Sequence, residues 1–360
     1  MKQFLLFSFC FSMAALSVNA TIRTVSNTPS TLAQFNTIQA AVDASSSGDT
    51  IYVNGSPNTY SAFSITNKQL VVIGPGWSPD KQLPLTAFVN GCTITGAACS
   101  NSEFQGIAFT STITLNASKP DNIRFIRNWF IAISIAINQS STTYSGYLFE
   151  GNLFDNASAD ATTSSTYQNF LFQNNYFYEN ACCRSGNING FFNSINVLLN
   201  HNLWFGPSSA TTRDAFVGTC RFLTITNNIF VKRNASTQNS SSTFNNNITF
   251  NAGDNTPWLS NGNVNSGGNI SNQDPQMTDQ TSVNAGSNNP LLDFTIAAGP
   301  ANNAGSDGKD IGFLYDPTGS LNWTISRTSR LPYIFSMNIS NPTIASGGTL
   351  NVSVEARKNN

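Results

Sequence analysis

The sequence predicts an all-β solenoid, a stack of coils built from short strands, and three observations predict it. A segment reading apolar–polar–apolar, then asparagine, then a second short apolar stretch recurs every twenty-odd residues through the middle of the chain. Its alternation has the period of two that belongs to strands, not helices. Only 10% of the 360 residues are charged, whereas asparagine occurs roughly fifty times. A globular protein carries about a quarter charged residues, so neutral amides must serve a purpose here. Repeats of this length mark solenoids and arrays.

Taken in order, Met1-Lys2 and the apolar run Phe4 to Val18, ending Val18-Asn19-Ala20, read as a signal peptide over residues 1–20 cleaved after Ala20. The run is short for a bilayer span, which needs about twenty residues, and no later stretch is long enough. The expectation is a soluble, secreted protein, extracellular or periplasmic. Asn36 with Gln39 makes a capping-box pattern. Ile38, Ala41 and Val42 form one apolar face of a helix expected to plug the open end of the stack, which runs over residues 21–320.

The repeat is clearest in Ile123-Arg-Phe-Ile-Arg-Asn128-Trp-Phe130, Tyr147-Leu-Phe-Glu-Gly-Asn152-Leu-Phe154 and Phe170-Leu-Phe-Gln-Asn-Asn175-Tyr-Phe177. With Gly106, Asn128, Asn152, Asn175, Asn202, Asn228 and Asn247 as markers, the spacings are 22, 24, 23, 27, 26 and 19 residues. Such a length suits three short strands and their turns, stacked at about 4.8 Å per coil. The marker asparagine is expected to take the left-handed conformation of a sharp bend. Its amide, with two donors and an acceptor, can bond to its equivalents as a ladder, and the aromatic two residues later can stack inside. Trp129 and Trp204 lie within these rungs and read as core. Trp77, Trp258 and Trp323 lie outside them and remain as candidates for stacking on sugar rings. Residues 321–360 depart from the repeat. Ile334, Phe335 and Met337, with Leu350, Val352 and Val354, read as a small C-terminal β-hairpin packed on the last coil.

The pattern resembles the right-handed parallel β-helix of the pectin-lyase-like superfamily, of the secreted bacterial type. Asn36 to Ala44, followed by Gly48-Asp49-Thr-Ile-Tyr-Val53, resembles the opening segment of such proteins. Gly268-Asn269-Ile270, Asp274-Pro275, Asp293 to Ile296, Gly299-Pro300-Ala301 and Gly308 to Gly312 resemble their closing coils. The resemblance implies a polysaccharide partner and a cleft one face before the asparagine-bearing strand. That face would hold Ile133 to Asn138, Asn189 to Asn193 and Asp214 to Gly218, with loops carrying Arg184, Arg213 and Asp214. Arg184, Arg213, Asp214 and Asn193 are therefore the candidate substrate-binding residues. An arginine beside an acid can grip a sugar carboxylate or assist proton abstraction; a solvated surface pair is the plainer reading of Arg213-Asp214.

The superfamily's catalytic signatures are missing. There are no paired aspartates, no Gly-His-Gly, and no carboxyls that evidently face each other as inverting hydrolysis requires. Calcium needs a cluster of oxygen ligands, and Asp254, Asp274, Asp279, Asp307 and Asp310 are scattered, so neither metal nor cofactor is expected. His201, the one histidine, sits at the asparagine turn in a hydrogen-bonding role. Cys182-Cys183-Arg184 reads as structural before nucleophilic. Five cysteines follow the leader, so at least one is unpaired; Cys92 and Cys99 could close a small loop, and Cys182 or Cys183 could reach Cys220. Thr110 to Thr114 shows no repeat from coil to coil that an ice-binding face would need. A net charge of −1 with no basic block argues against nucleic acid. The expectation is a monomeric polysaccharide-contacting protein without a catalytic motif. The alternative is a divergent polysaccharide lyase or glycoside hydrolase acting on a uronate-containing glycan.

Overall fold

Successive coils add strands to three parallel sheets, the central coils one to each. Among the described residues, the first sheet has eleven strands, from Ile22–Val25 to Val264–Asn265. The second has eight, from Phe88–Val89 to Ile248–Phe250, and the third seven, from Phe63–Thr66 to Phe216–Val217. The computed structural model describes residues 20–29, 31–78, 85–116, 118–139, 141–180, 187–207, 213–316, 321–328, 333–340 and 346–357. Successive coils pair in register, as in Phe125↔Phe149↔Phe172 and Phe130↔Phe154↔Phe177. The chain is thus an all-β parallel solenoid.

Register sets the core. Phe104, Phe125, Phe149 and Phe172 stack with centroids 5.4, 5.2 and 4.6 Å apart along the first sheet. Phe130, Phe154, Phe177, Trp204 and Phe230 follow at 4.9, 4.6, 4.5 and 4.8 Å along the second. These distances approach the strand separation of about 4.8 Å, so identical side chains stack wherever register is kept. Between the two rows runs the ladder of Asn128, Asn152, Asn175, Asn202, Asn228, Asn247 and Asn269. Asn152 is representative. Its Nδ2 donates to Phe125 O at 2.9 Å and to Asn175 Oδ1 at 3.0 Å, and its backbone N–H reaches the same Oδ1 at 2.9 Å.

The left-handed residue is not the ladder asparagine. It is the residue before it: Arg127, Gly151, Asn174, His201, Asn227, Asn246 and Gly268 have φ between +52° and +65°. A side chain on that bend points outward, whereas the ladder amide must point in. Gly106 accordingly belongs to the bend row, and Ile107 holds the ladder position, its N–H donating to Asn128 Oδ1 at 3.1 Å.

The expected helix spans Ile38–Ala44 and packs Ile38, Ala41 and Val42 against Ile22–Val25, Thr50–Val53 and Phe63–Thr66. Its cap is Thr37, whose Oγ1 accepts from Ala40 N at 3.2 Å. Gln39 does not complete a capping box with Asn36; it bonds Asp43 and the Ser64 backbone, tying the helix to the stack.

Beyond Ile270 the segment expected to form closing coils does something else. Residues 277–316 and 321–326 return along the outer face of the second sheet as a strap. Met277, Val283, Phe294, Ile311, Phe313 and Trp323 build a second apolar core there with Tyr176, Leu203, Phe205, Ile229 and Val231. Strands Tyr176–Tyr178, Leu203–Phe205 and Ile229–Val231 are therefore buried throughout. Their continuous apolar sequences suit a sheet covered on both faces.

The bend row fastens the strap. Asn174 Oδ1 accepts from Leu314 N, Asn227 Oδ1 from Ser306 N, and Asn246 Nδ2 donates to Ala304 O, each at 2.8 Å. His201, fully buried, donates from Nδ1 to Gly312 O at 2.9 Å. Its Nε2 then faces Asn227 Nδ2 at 3.1 Å and Asp307 Oδ2 at 3.2 Å. Burial lowers the His201 pKa below its usual 6.5 against the opposing pull of Asp307. A lowered histidine pKa adds stability that is complete above the unfolded value and is lost as pH falls through the folded one. Urea titrations from pH 7.5 to 5 are expected to show this loss in the wild type and a smaller one in His201→Asn. Equal slopes would remove His201 from the pH response.

Cys92, Cys99 and Cys220 are buried and unpaired, so Cys92 and Cys99 close no disulfide loop. Cys99 Sγ instead donates to Thr95 O at 3.2 Å, and burial pushes the Cys220 thiol up to about 12. Residues 1–19, Cys182 and Cys183 lie outside the described residues. At the C-terminal end Tyr333–Ile339 pairs antiparallel with Val352–Arg357. The hairpin is present, but its described side chains, Met337 and Val354 among them, are exposed rather than packed on the last coil.

Candidate functional site

Of the residues singled out by sequence, Arg213, Asp214 and Asn193 are described, on two separate strands. Arg184 lies outside the described residues. Arg213 and Asp214 form one short strand paired to Arg233–Asn234, and consecutive strand residues project to opposite sides. One ligand cannot be gripped by both in the manner of a side-by-side pair. Asn193, in strand Asn193–Ile195, commits its Nδ2 to Thr163 O at 3.0 Å and Ser165 O at 3.2 Å.

Beneath Arg213–Asp214 lies a charged pair that sequence reading did not single out. Arg233 Nη2 meets Glu179 Oε2 at 3.1 Å, Asn187 Oδ1 at 2.9 Å and Asp214 O at 2.6 Å. Both ionic side chains are completely buried. Burial lowers the Arg233 pKa to about 10, with Glu179 and Asp214 opposing the shift. Its position makes it a brace for the strand above it.

A formed cavity lies elsewhere, on the outer face of the second sheet. Where Phe130 points into the core, period-two alternation turns Trp129 and Ile131 outward. Trp129 is half-buried, and so is not the core residue expected from its place in the rung. Register sets Leu153 beside it and Asp155 beside Ile131. Between this face, Trp77 and the strap residues Asn288 to Leu291 is a cavity of about 490 Å³, within the roughly 300–1,000 Å³ usual for small-ligand sites. Of the tryptophans expected to be exposed, Trp77, Trp258 and Trp323 are all buried. Only Trp77 lines this space.

Among the described residues, Asp155 is the charged group that lines the cavity. Desolvation raises its pKa, against the Trp129 indole and a 2.8 Å bond from Asn156 Nδ2 to Oδ1. The indole N–H of Trp129 lies near this carboxylate without closing a full hydrogen bond, and that of Trp77 has no acceptor among the described residues. In the next coil the fully buried Tyr176 hydroxyl is likewise without a partner. Burial, with the charge of Asp155 added, holds its pKa well above the phenolic value. Buried donors left unmade cost about 1–3 kcal/mol each, and such groups ask for a ligand or a water.

The half-buried Trp129 indole and one carboxylate acceptor beside it form a recognition surface for a hydroxyl-rich ring. They do not form the opposed carboxyl pair of glycoside hydrolysis. Among the described residues no group of three or more His, Cys, Asp or Glu could hold a metal ion, and no helix is long and apolar enough to cross a membrane.

No protein-family model and no curated protein matches the chain. Among solved structures it is similar to a pectin methylesterase crystallised in complex with a hexasaccharide, at 11% identity and a TM-score of 0.33, over 76% of this chain and 99% of that one. The parallel β-solenoid is established by the strand pairing of this chain itself.

Proposed function

We propose that the protein is a secreted, monomeric β-solenoid of right-handed coils that binds a polysaccharide chain in the Trp129 cavity and does not cleave it there. The observation that carries this reading is the convergence of Trp77, Trp129 and Asp155 on one cavity. The apolar N-terminal run supports export. The neutral, amide-rich composition supports a glycan partner over nucleic acid. Right-handed coils follow the hand that parallel crossover connections take almost always.

The test is a titration of purified protein, followed by tryptophan fluorescence, against a panel of soluble polysaccharides. The protein is to be recovered from the medium or periplasm of an expressing host, with Thr21 expected as its first residue. Trp129→Ala should weaken retention of the bound glycan roughly thirtyfold, the effect of losing about 2 kcal/mol of stacking. A panel on which nothing binds, or binding untouched by Trp129→Ala, would sink the proposal. Unsaturated or reducing-end products would return the lyase or hydrolase alternative.

A further inference from the structure

We infer that this cavity selects neutral pyranoses and rejects uronates, with Asp155 as the specificity-determining residue; the inference rests on the glycan reading of the same site. Among the described residues, no lysine or arginine lines the cavity. The groups that act on the Asp155 carboxylate are the Trp129 indole and the Asn156 amide, and its own charge acts on the Tyr176 and Tyr178 phenols. None of these is a cation. A uronate carboxylate entering here would be desolvated beside a second carboxylate with no counter-charge, where water no longer damps the repulsion.

A neutral sugar meets the opposite situation. Its hydroxyl can donate to Asp155, a bond strengthened by the charge of the acceptor. A hydroxyl is donor and acceptor at once, and the cavity offers one strong acceptor, with Asn288 and Asn289 also in its lining. A ring face then lies against the Trp129 indole and the apolar wall of Leu153 and Leu291. A ligand lacking the matching hydroxyl leaves these groups unpaired, which is where a site of this kind gains selectivity.

The experiment is calorimetric titration at pH 7 with xylo- or cello-oligosaccharides and with oligogalacturonates of equal length. It uses the wild type, Asp155→Asn and Trp129→Ala. The wild type is expected to bind one neutral series at least roughly thirtyfold more tightly than the uronate. Asp155→Asn keeps an acceptor for Asn156 and removes the charge, so it should narrow that ratio to about threefold or less. Trp129→Ala should weaken both series. Equal or tighter binding of the uronate by the wild type, lost in Trp129→Ala, overturns the selectivity and leaves the glycan reading standing. Binding of neither series overturns both. Tighter binding of a protonated amino-sugar oligomer than of any neutral one also overturns it. The wild-type ratio decides the matter even if Asp155→Asn folds poorly.

Discussion

Glu179→Ala is expected to destabilise the protein by about 3–5 kcal/mol, the usual penalty for stranding one member of a buried ion pair. Arg233 would stay in place, fully buried, with only Asn187 Oδ1 and Asp214 O as partners for its Nη2. It cannot readily shed the charge, since burial lowers its pKa only to about 10 with Glu179 present. The double variant Glu179→Leu with Arg233→Met should recover most of the loss. Replacing both charges by apolar groups of similar size also removes the desolvation that the pair had to overcome. Urea denaturation at pH 7 of the single and double variants measures both effects. A loss below about 1 kcal/mol in the single variant would be the signature of a surface pair, which contradicts the burial. A double variant as unstable as the single one would mean that the pair contributes positively beyond its own desolvation. The backbone of Asp214 hangs on Arg233, so strand Arg213–Asp214 is the region whose amide exchange should rise first.

The architecture was legible because a solenoid repeats its chemistry in register. An asparagine followed two positions later by an aromatic, recurring every 23 to 27 residues from Asn128 to Asn228, produces the ladder and the stacked interior row directly. Finer detail was decided by competition between roles. Asparagine favours the left-handed bend, but at Asn128 and its equivalents the amide is needed inside, so the bend fell to Arg127, Gly151 and His201. Trp129 could have been placed correctly, since an inward Phe130 forces its neighbour out. Continuous apolar triplets such as Leu203-Trp204-Phe205 hid this by making the whole rung look like core. Those triplets are apolar because a distant segment covers them, and no local period in residues 277–326 announces that they fold back. The cavity forms where that strap meets the coils of Trp129 and Leu153, a long-range contact. Arg213 and Asp214 stand out in the sequence by their charge; the cavity is marked by its shape and lining, which composition does not reveal.

Asn175→Ala is expected to cost about 4–5 kcal/mol, near the upper end for a single substitution, because Asn175 serves two neighbouring coils at once. Its Nδ2 donates to Phe149 O at 2.9 Å and Asn202 Oδ1 at 3.0 Å, and its Oδ1 accepts from Asn152 N at 2.9 Å and Asn152 Nδ2 at 3.0 Å. Alanine leaves the Phe149 carbonyl and the Asn152 backbone N–H buried without these partners, each worth about 1–3 kcal/mol, and opens a small void beside them. Asn269 ends the described ladder and is partly exposed, so water can replace what Asn269→Ala removes; its loss should stay below about 2 kcal/mol. The contrast tests more than bond strength. In a stack, each coil is stabilised mainly by its neighbours, so a weakened central rung should uncouple the halves and broaden the urea transition, whereas a weakened end rung should only shorten the cooperative unit. Equal losses at the two positions, with equally sharp transitions, would mean that the asparagines act as independent local bonds and that cohesion between coils comes from the strand pairing and the stacked aromatics.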